Sequence, residues 1–115
     1  EILYIEYKAS TRGSFKKIVI RKDSTFISDR GNESKKVTKE SDWVFLNQEI
    51  GQLGLKKLDL IEAPTDKRYS DRALSAQLSV ATKNHLYHSN EFDHGNPPEP
   101  IKQMLTVLTK YLPSE

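Results

Sequence analysis

All three histidines of the chain fall within one short stretch, His85-Leu86-Tyr87-His88-Ser89-Asn90-Glu91-Phe92-Asp93-His94. Imidazole and carboxylate are the usual ligands of zinc and related ions, and a bound divalent ion would activate water for hydrolysis by lowering its pKa toward neutrality. His88, Asp93 and His94 are the candidate metal ligands, with Asp66 or Asp71 from an upstream polar loop as a further carboxylate. His85 and His88 stand three apart on an expected strand, so they face opposite sides. No HExxH spacing is present. The competing account treats these residues as polar strand positions and a loop whose Asp and His bond local backbone.

Three other stretches could bind a ligand. Thr65-Asp66-Lys67-Arg68-Tyr69-Ser70-Asp71-Arg72 combines carboxylates with guanidinium groups, and Arg holds a carboxylate or phosphate through paired hydrogen bonds. Arg68, Tyr69 and Asp71 are its candidate ligand-binding residues, against the alternative of surface ion pairs, with Asp71 fixing the entry to a strand. Ser10-Thr11-Arg12-Gly13-Ser14 places Arg12 on a second polar loop. It lacks GxxxxGK[ST] and opens no helix, so it reads as a hairpin loop with Arg12 as a contact residue, not as a phosphate loop. The third stretch is basic. Residues 1–39 carry +5 and the remainder −3, within a net charge of +2. Lys16 and Lys22 share one strand face while Lys17 and Arg21 share the other, which splits the charge. No aromatic–basic RNA motif or helix-turn-helix accompanies it, so a solvated face is expected and nucleic acid is not the expected partner. No GxSxG nucleophile signature occurs. No cofactor is expected.

The elements that must position these residues follow from periodicity. At 115 residues, 36% hydrophobic and 30% charged, the chain has the size and composition of one folded domain. No apolar run approaches the roughly 20 residues of a membrane span. Ile2–Tyr7 and Phe15–Lys22 alternate as strands, and Thr25–Ser28 is a third. Asp29–Lys36 reads as a polar loop around Arg30-Gly31-Asn32. A helix begins near Thr38 or Ser41, either of which could cap it, and carries the stripe Trp43, Leu46, Ile50, Leu53 until Gly51 and Gly54 end it. Leu55–Ala63 holds a further helical turn, stopped by Pro64.

Leu74–Val80 has the cleanest alternation: Leu74, Ala76, Leu78 and Val80 against Ser75, Gln77 and Ser79. That pattern predicts a strand with one face on a core and one face wet. Thr82-Lys83-Asn84 is a turn to a returning strand at His85–Asn90. Asn96-Pro97 opens a last helix that runs to about Leu112. The order is β-β-β-α-β-β-α. It predicts an α+β two-layer sandwich: a mainly antiparallel sheet of about five strands with both helices on one face.

This layout resembles a family of small uncharacterised bacterial domains found behind a signal peptide or lipoprotein leader. The likeness lies in the opening strand pair, the Thr38–Leu53 helix after a polar loop, and Asp71 before the Leu74–Val80 strand. It continues through the hairpin and Pro97-Pro98 at the final helix. The resemblance implies an extracytoplasmic address, periplasmic or lipid-anchored through an upstream leader, and brings no activity. The absence of cysteine suits an oxidising compartment, and a first residue other than Met fits removal of a leader. The expectation is a non-enzymatic binding domain of the cell envelope with a protein or small-molecule ligand. The alternative is a small metal-dependent or acid–base hydrolase built on His88, Asp93 and His94.

Overall fold

The computed structural model describes residues 1–113. Its strands are β1 (Ile2–Thr11), β2 (Ser14–Ile20), β3 (Ser24–Asp29), β4 (Asn32–Val37), β5 (Ser75–Thr82), β6 (Leu86–His88) and β7 (Phe92–Asp93). Two α-helices, α1 (Glu40–Leu53) and α2 (Lys102–Thr109), are joined by short 3₁₀ turns at Leu55–Leu60, Lys67–Ser70 and Glu99–Ile101. The fold is α+β, and every strand pairing is antiparallel, in the order β4-β3-β2-β1-β5-β6, with β7 also on β5.

Alternation decides which side chains are buried together. Ile5, Tyr7 and Ala9 of β1 align with Ile20, Ile18 and Lys16 of β2 and with Val80, Leu78 and Ala76 of β5. Their apolar members form one cluster with Leu46 and Ile50 of α1, Leu58 of the first 3₁₀ turn, and Leu105 and Leu108 of α2. Trp43 and Leu53 pack at its margin, as the stripe of α1 predicts. A fully buried Leu or Ile contributes about 1.5–3 kcal/mol, so this junction of sheet and helices dominates the stability of the domain. Lys16 shares that face and is itself buried, its Nζ 3.7 Å from Oδ1 of Asp29. The sequence pattern alone places it in solvent.

Several boundaries differ from the sequence expectation. The sheet has seven strands rather than about five. The segment expected to be a polar loop, 29–36, is a hairpin into β4. Arg30 (φ 56°) and Gly31 (φ 86°) both take the left-handed conformation that a two-residue hairpin turn of this hand requires. All six residues of β4 are exposed, so no apolar alternation marks it. β7 lies inside the expected 91–98 loop, and the returning strand β6 is only three residues long. β1 runs through Thr11, leaving Arg12-Gly13 alone as the turn into β2.

Neither Thr38 nor Ser41 caps α1: the N-cap is Lys39, without a side-chain cap, and Thr38 is buried with its hydroxyl 2.8 Å from that of Thr25. Gly54 does end α1, at φ 85°, its N–H bonded to the Ile50 carbonyl. The last helix begins later than Asn96-Pro97, as a 3₁₀ turn that becomes α2 at Lys102. Asn96 instead donates to the Thr65 hydroxyl at 3.0 Å.

Candidate functional site

β7 carries Asp93 to the end of the sheet, against the 3₁₀ turn at Lys67–Ser70. There the Asp93 carboxylate accepts hydrogen bonds from the Lys67 amide (2.8 Å), the Arg68 amide (2.9 Å), the Arg68 guanidinium (3.1 Å) and the Thr65 hydroxyl. Burial by itself pushes the carboxyl pKa up. The bonds from Thr65, the two amides and Arg68 outweigh it and hold the group well below the ordinary carboxylate range. Arg68 is held within the same loop. Its Nη1 also donates to the Thr65 carbonyl at 2.7 Å, and its Nη2 to the Tyr69 hydroxyl at 3.1 Å. Its guanidinium carbon lies 4.5 Å from the centre of the Tyr69 ring. Arg68 therefore anchors a loop instead of presenting a fork to a ligand. Tyr69 projects into solvent at 79% exposure, and Asp71 ends the turn in the left-handed conformation at φ 57°.

The next residue, His94, lies on the sheet face that carries Tyr7. Its Nδ1 is 2.5 Å from the hydroxyl of Tyr7, on the central strand β1. Burial raises the Tyr7 phenol well above its ordinary pKa, so the phenol keeps its proton. This pair borders a cavity of about 380 Å³ between β1, the 94–97 loop and α2. Lys102, Leu105 and Thr106 of α2 form its far wall.

His88 is elsewhere. Its Nδ1 is 2.8 Å from the hydroxyl of Ser79. Ser79 alternates with Leu78 and Val80, so His88 is on the face opposite to Tyr7 and His94. The expected convergence of His88, Asp93 and His94 is thus not formed: each holds a different partner, and His88 and His94 lie on opposite faces of the sheet. Among the described residues, no three His, Asp or Glu side chains are placed to share a metal ion.

The alternate face of the sheet gathers the remaining candidates. Lys8 of β1 and Lys17 of β2 stand directly opposite one another, and the next pair toward the hairpin is Ser10 with Phe15. Phe15 is 40% exposed. Beyond them, at the turn, Arg12 is exposed. Farther along the same face the Arg21 guanidinium lies 5.1 Å from the Tyr4 ring centre. Neither Lys8 nor Lys17 has an ion-pair partner among the described residues.

Sequence reasoning did not single out Tyr7 or Lys102 for chemistry. A signal for Tyr7 exists: a tyrosine between Ile5 and Ala9 on an apolar strand face must find a partner for its hydroxyl once buried. Nothing in the spacing identifies that partner as a residue 87 positions away. Comparison with known proteins finds no family model and no curated protein that matches the chain. No helix among the described residues is long and apolar enough to cross a membrane.

Proposed function

We propose that the chain is a non-enzymatic binding domain of the bacterial cell envelope, a two-layer sandwich whose helices cover one sheet face while the other meets a protein partner. The observation that carries the contact surface is the Lys8–Lys17 opposition. Like charges directly opposed on neighbouring strands destabilise a sheet. A carboxylate seated between two ammonium groups reverses that repulsion. Phe15, two register pairs away on the same face and half exposed, offers an apolar anchor beside the charge. The surface therefore suits an acidic protein segment with an apolar side chain next to its carboxylate. Arg12 extends the basic edge at the turn. The envelope address is supported by the layout resemblance and by the cysteine-free composition.

Two measurements test this reading. Fractionation of cells that express the natural gene locates the protein; recovery in the cytoplasm removes the envelope assignment. Capture from envelope extract is then compared between wild type and the Lys8→Glu/Lys17→Glu variant. The expected outcome is a bound protein that is released by raised salt and lost in the variant, since contacts of this kind weaken as the Debye length shortens. Equal capture by both chains overturns the assignment of the surface.

A further inference from the structure

The cavity beside Tyr7 and His94 has a composition that selects a class of ligand. Among the described residues, no acidic side chain lines it. Its cationic group is the Lys102 ammonium, which has no ion-pair partner among the described residues. Two threonines of α2 also border it, but their hydroxyl protons are used within the helix. Thr106 donates to the Lys102 carbonyl at 3.1 Å and Thr109 to the Leu105 carbonyl at 2.8 Å. They leave acceptor lone pairs only, so Lys102 supplies the mobile donors. The rest of the wall, including Leu105, Leu112 and Pro97, is apolar. A volume of about 380 Å³, at roughly 30 Å³ for each water-sized group, accommodates about a dozen non-hydrogen atoms.

We propose that this cavity binds a medium-chain carboxylate, its headgroup on Lys102 and its hydrocarbon along Leu105, Leu112 and Pro97. One ammonium neutralises a monoanion, whereas a phosphate monoester would keep much of its charge unmatched in a largely apolar wall. The Tyr7–His94 pair closes the inner end. The bond between the phenol and Nδ1 occupies both groups, so that end tolerates an apolar neighbour. The site lies on the covered side of the sheet, so it is independent of the Lys8–Lys17 surface.

The test is a titration of the intact chain with octanoate, octanol and octylamine, followed by calorimetry and by amide chemical shifts. Octanoate is expected to bind at least tenfold tighter than octanol and to perturb Lys102, Leu105 and Thr106, with octylamine weakest. Lys102→Met is expected to bring octanoate down to the octanol level, and Lys102→Arg to retain it. Lys102 is exposed, so its substitution leaves the fold intact. Thr106→Trp, which places a bulky ring at the cavity wall, is expected to abolish binding of all three. Equal affinity for octanoate and octanol overturns the proposal. So does octanoate binding that survives Lys102→Met but is lost in Lys8→Glu/Lys17→Glu, because the anion is then on the opposite face.

Discussion

Asp93 and His94 are adjacent in the chain, yet the carboxylate is enclosed by four hydrogen bonds from one turn while the imidazole meets a tyrosine of the central strand at the rim of a cavity. The difference shows how little a dense cluster of polar residues says by itself. At Asp93 the lone pairs are taken by protein donors, and a ligand could enter only by displacing Thr65, two amides and a guanidinium. At His94 the imidazole and the phenol hold each other through Nδ1, but the pair sits beside space, apolar wall and the cation of Lys102. Binding capacity depends on what is left over after the protein has satisfied itself.

The sharpest way to break this contrast is Asp93→Ala. It removes the acceptor of all four bonds and leaves the Arg68 guanidinium, only 9% exposed, without its carboxylate. A loss of about 3 kcal/mol in unfolding free energy is expected in chemical denaturation. A change under 1 kcal/mol would show that the network is decoration. The same group sets an acid limb. Its folded pKa lies below the unfolded value of roughly 3.9, so its contribution is complete above about pH 5 and fades as pH falls through the unfolded value and on toward the folded one. Asp93→Asn should flatten that limb in a pH series of denaturation curves.

Arg68→Lys comes next. Lysine keeps the charge but cannot reach the Thr65 carbonyl, Asp93 and the Tyr69 hydroxyl from one planar group. A cost of about 1.5–2 kcal/mol is expected, below that of Asp93→Ala because the Lys67 and Arg68 amides still bind the carboxylate.

At the other region, Tyr7→Phe should cost about 1 kcal/mol, the usual worth of one buried hydrogen bond. It also changes the alkaline side. The phenol pKa is raised on folding, so its contribution is complete below the unfolded value of roughly 10 and is lost as pH rises beyond it. Tyr111, buried and bonded to Asp42 at 2.8 Å, is shifted the same way. Tyr7→Phe should therefore remove part of the alkaline loss of stability, and Tyr7→Phe/Tyr111→Phe most of the remainder. An unchanged alkaline limb in both variants would contradict the assignment.

The two regions also differ in how far they could be read in advance. β5 was legible because its faces differ in kind: Ala76, Leu78 and Val80 are buried in the core and Ser75 and Gln77 are half-exposed, although Ser79, expected on the wet face, is buried against His88. β4 was not, because Asn32–Val37 is exposed on both faces and is held in register by the Arg30-Gly31 turn. The histidine stretch was conspicuous in sequence, but a sheet sorts neighbours by parity and pairing, which put His88 and His94 on opposite faces. The partners that give Asp93 and His94 their roles come from 25 and 87 positions away, and local pattern carries no information about such pairings.

The smallest effect belongs to Tyr69→Ala. The ring stacks on Arg68 at 4.5 Å and its hydroxyl accepts from Nη2, which invites a structural role. Yet the side chain is 79% exposed, and a cation–π contact in solvent is worth roughly 0.5–1 kcal/mol at most. Arg68 keeps Asp93 and the Thr65 carbonyl without it. A change of less than about 0.5 kcal/mol is expected by chemical denaturation, with no shift of the Asp93 acid limb. A loss comparable to that of Arg68→Lys would mean that the tyrosine positions the guanidinium, and the enclosed region would then extend to the surface of the loop. A near-neutral result leaves Tyr69 as an exposed aromatic beside a locked turn, available for contact in the way the Asp93 carboxylate is not.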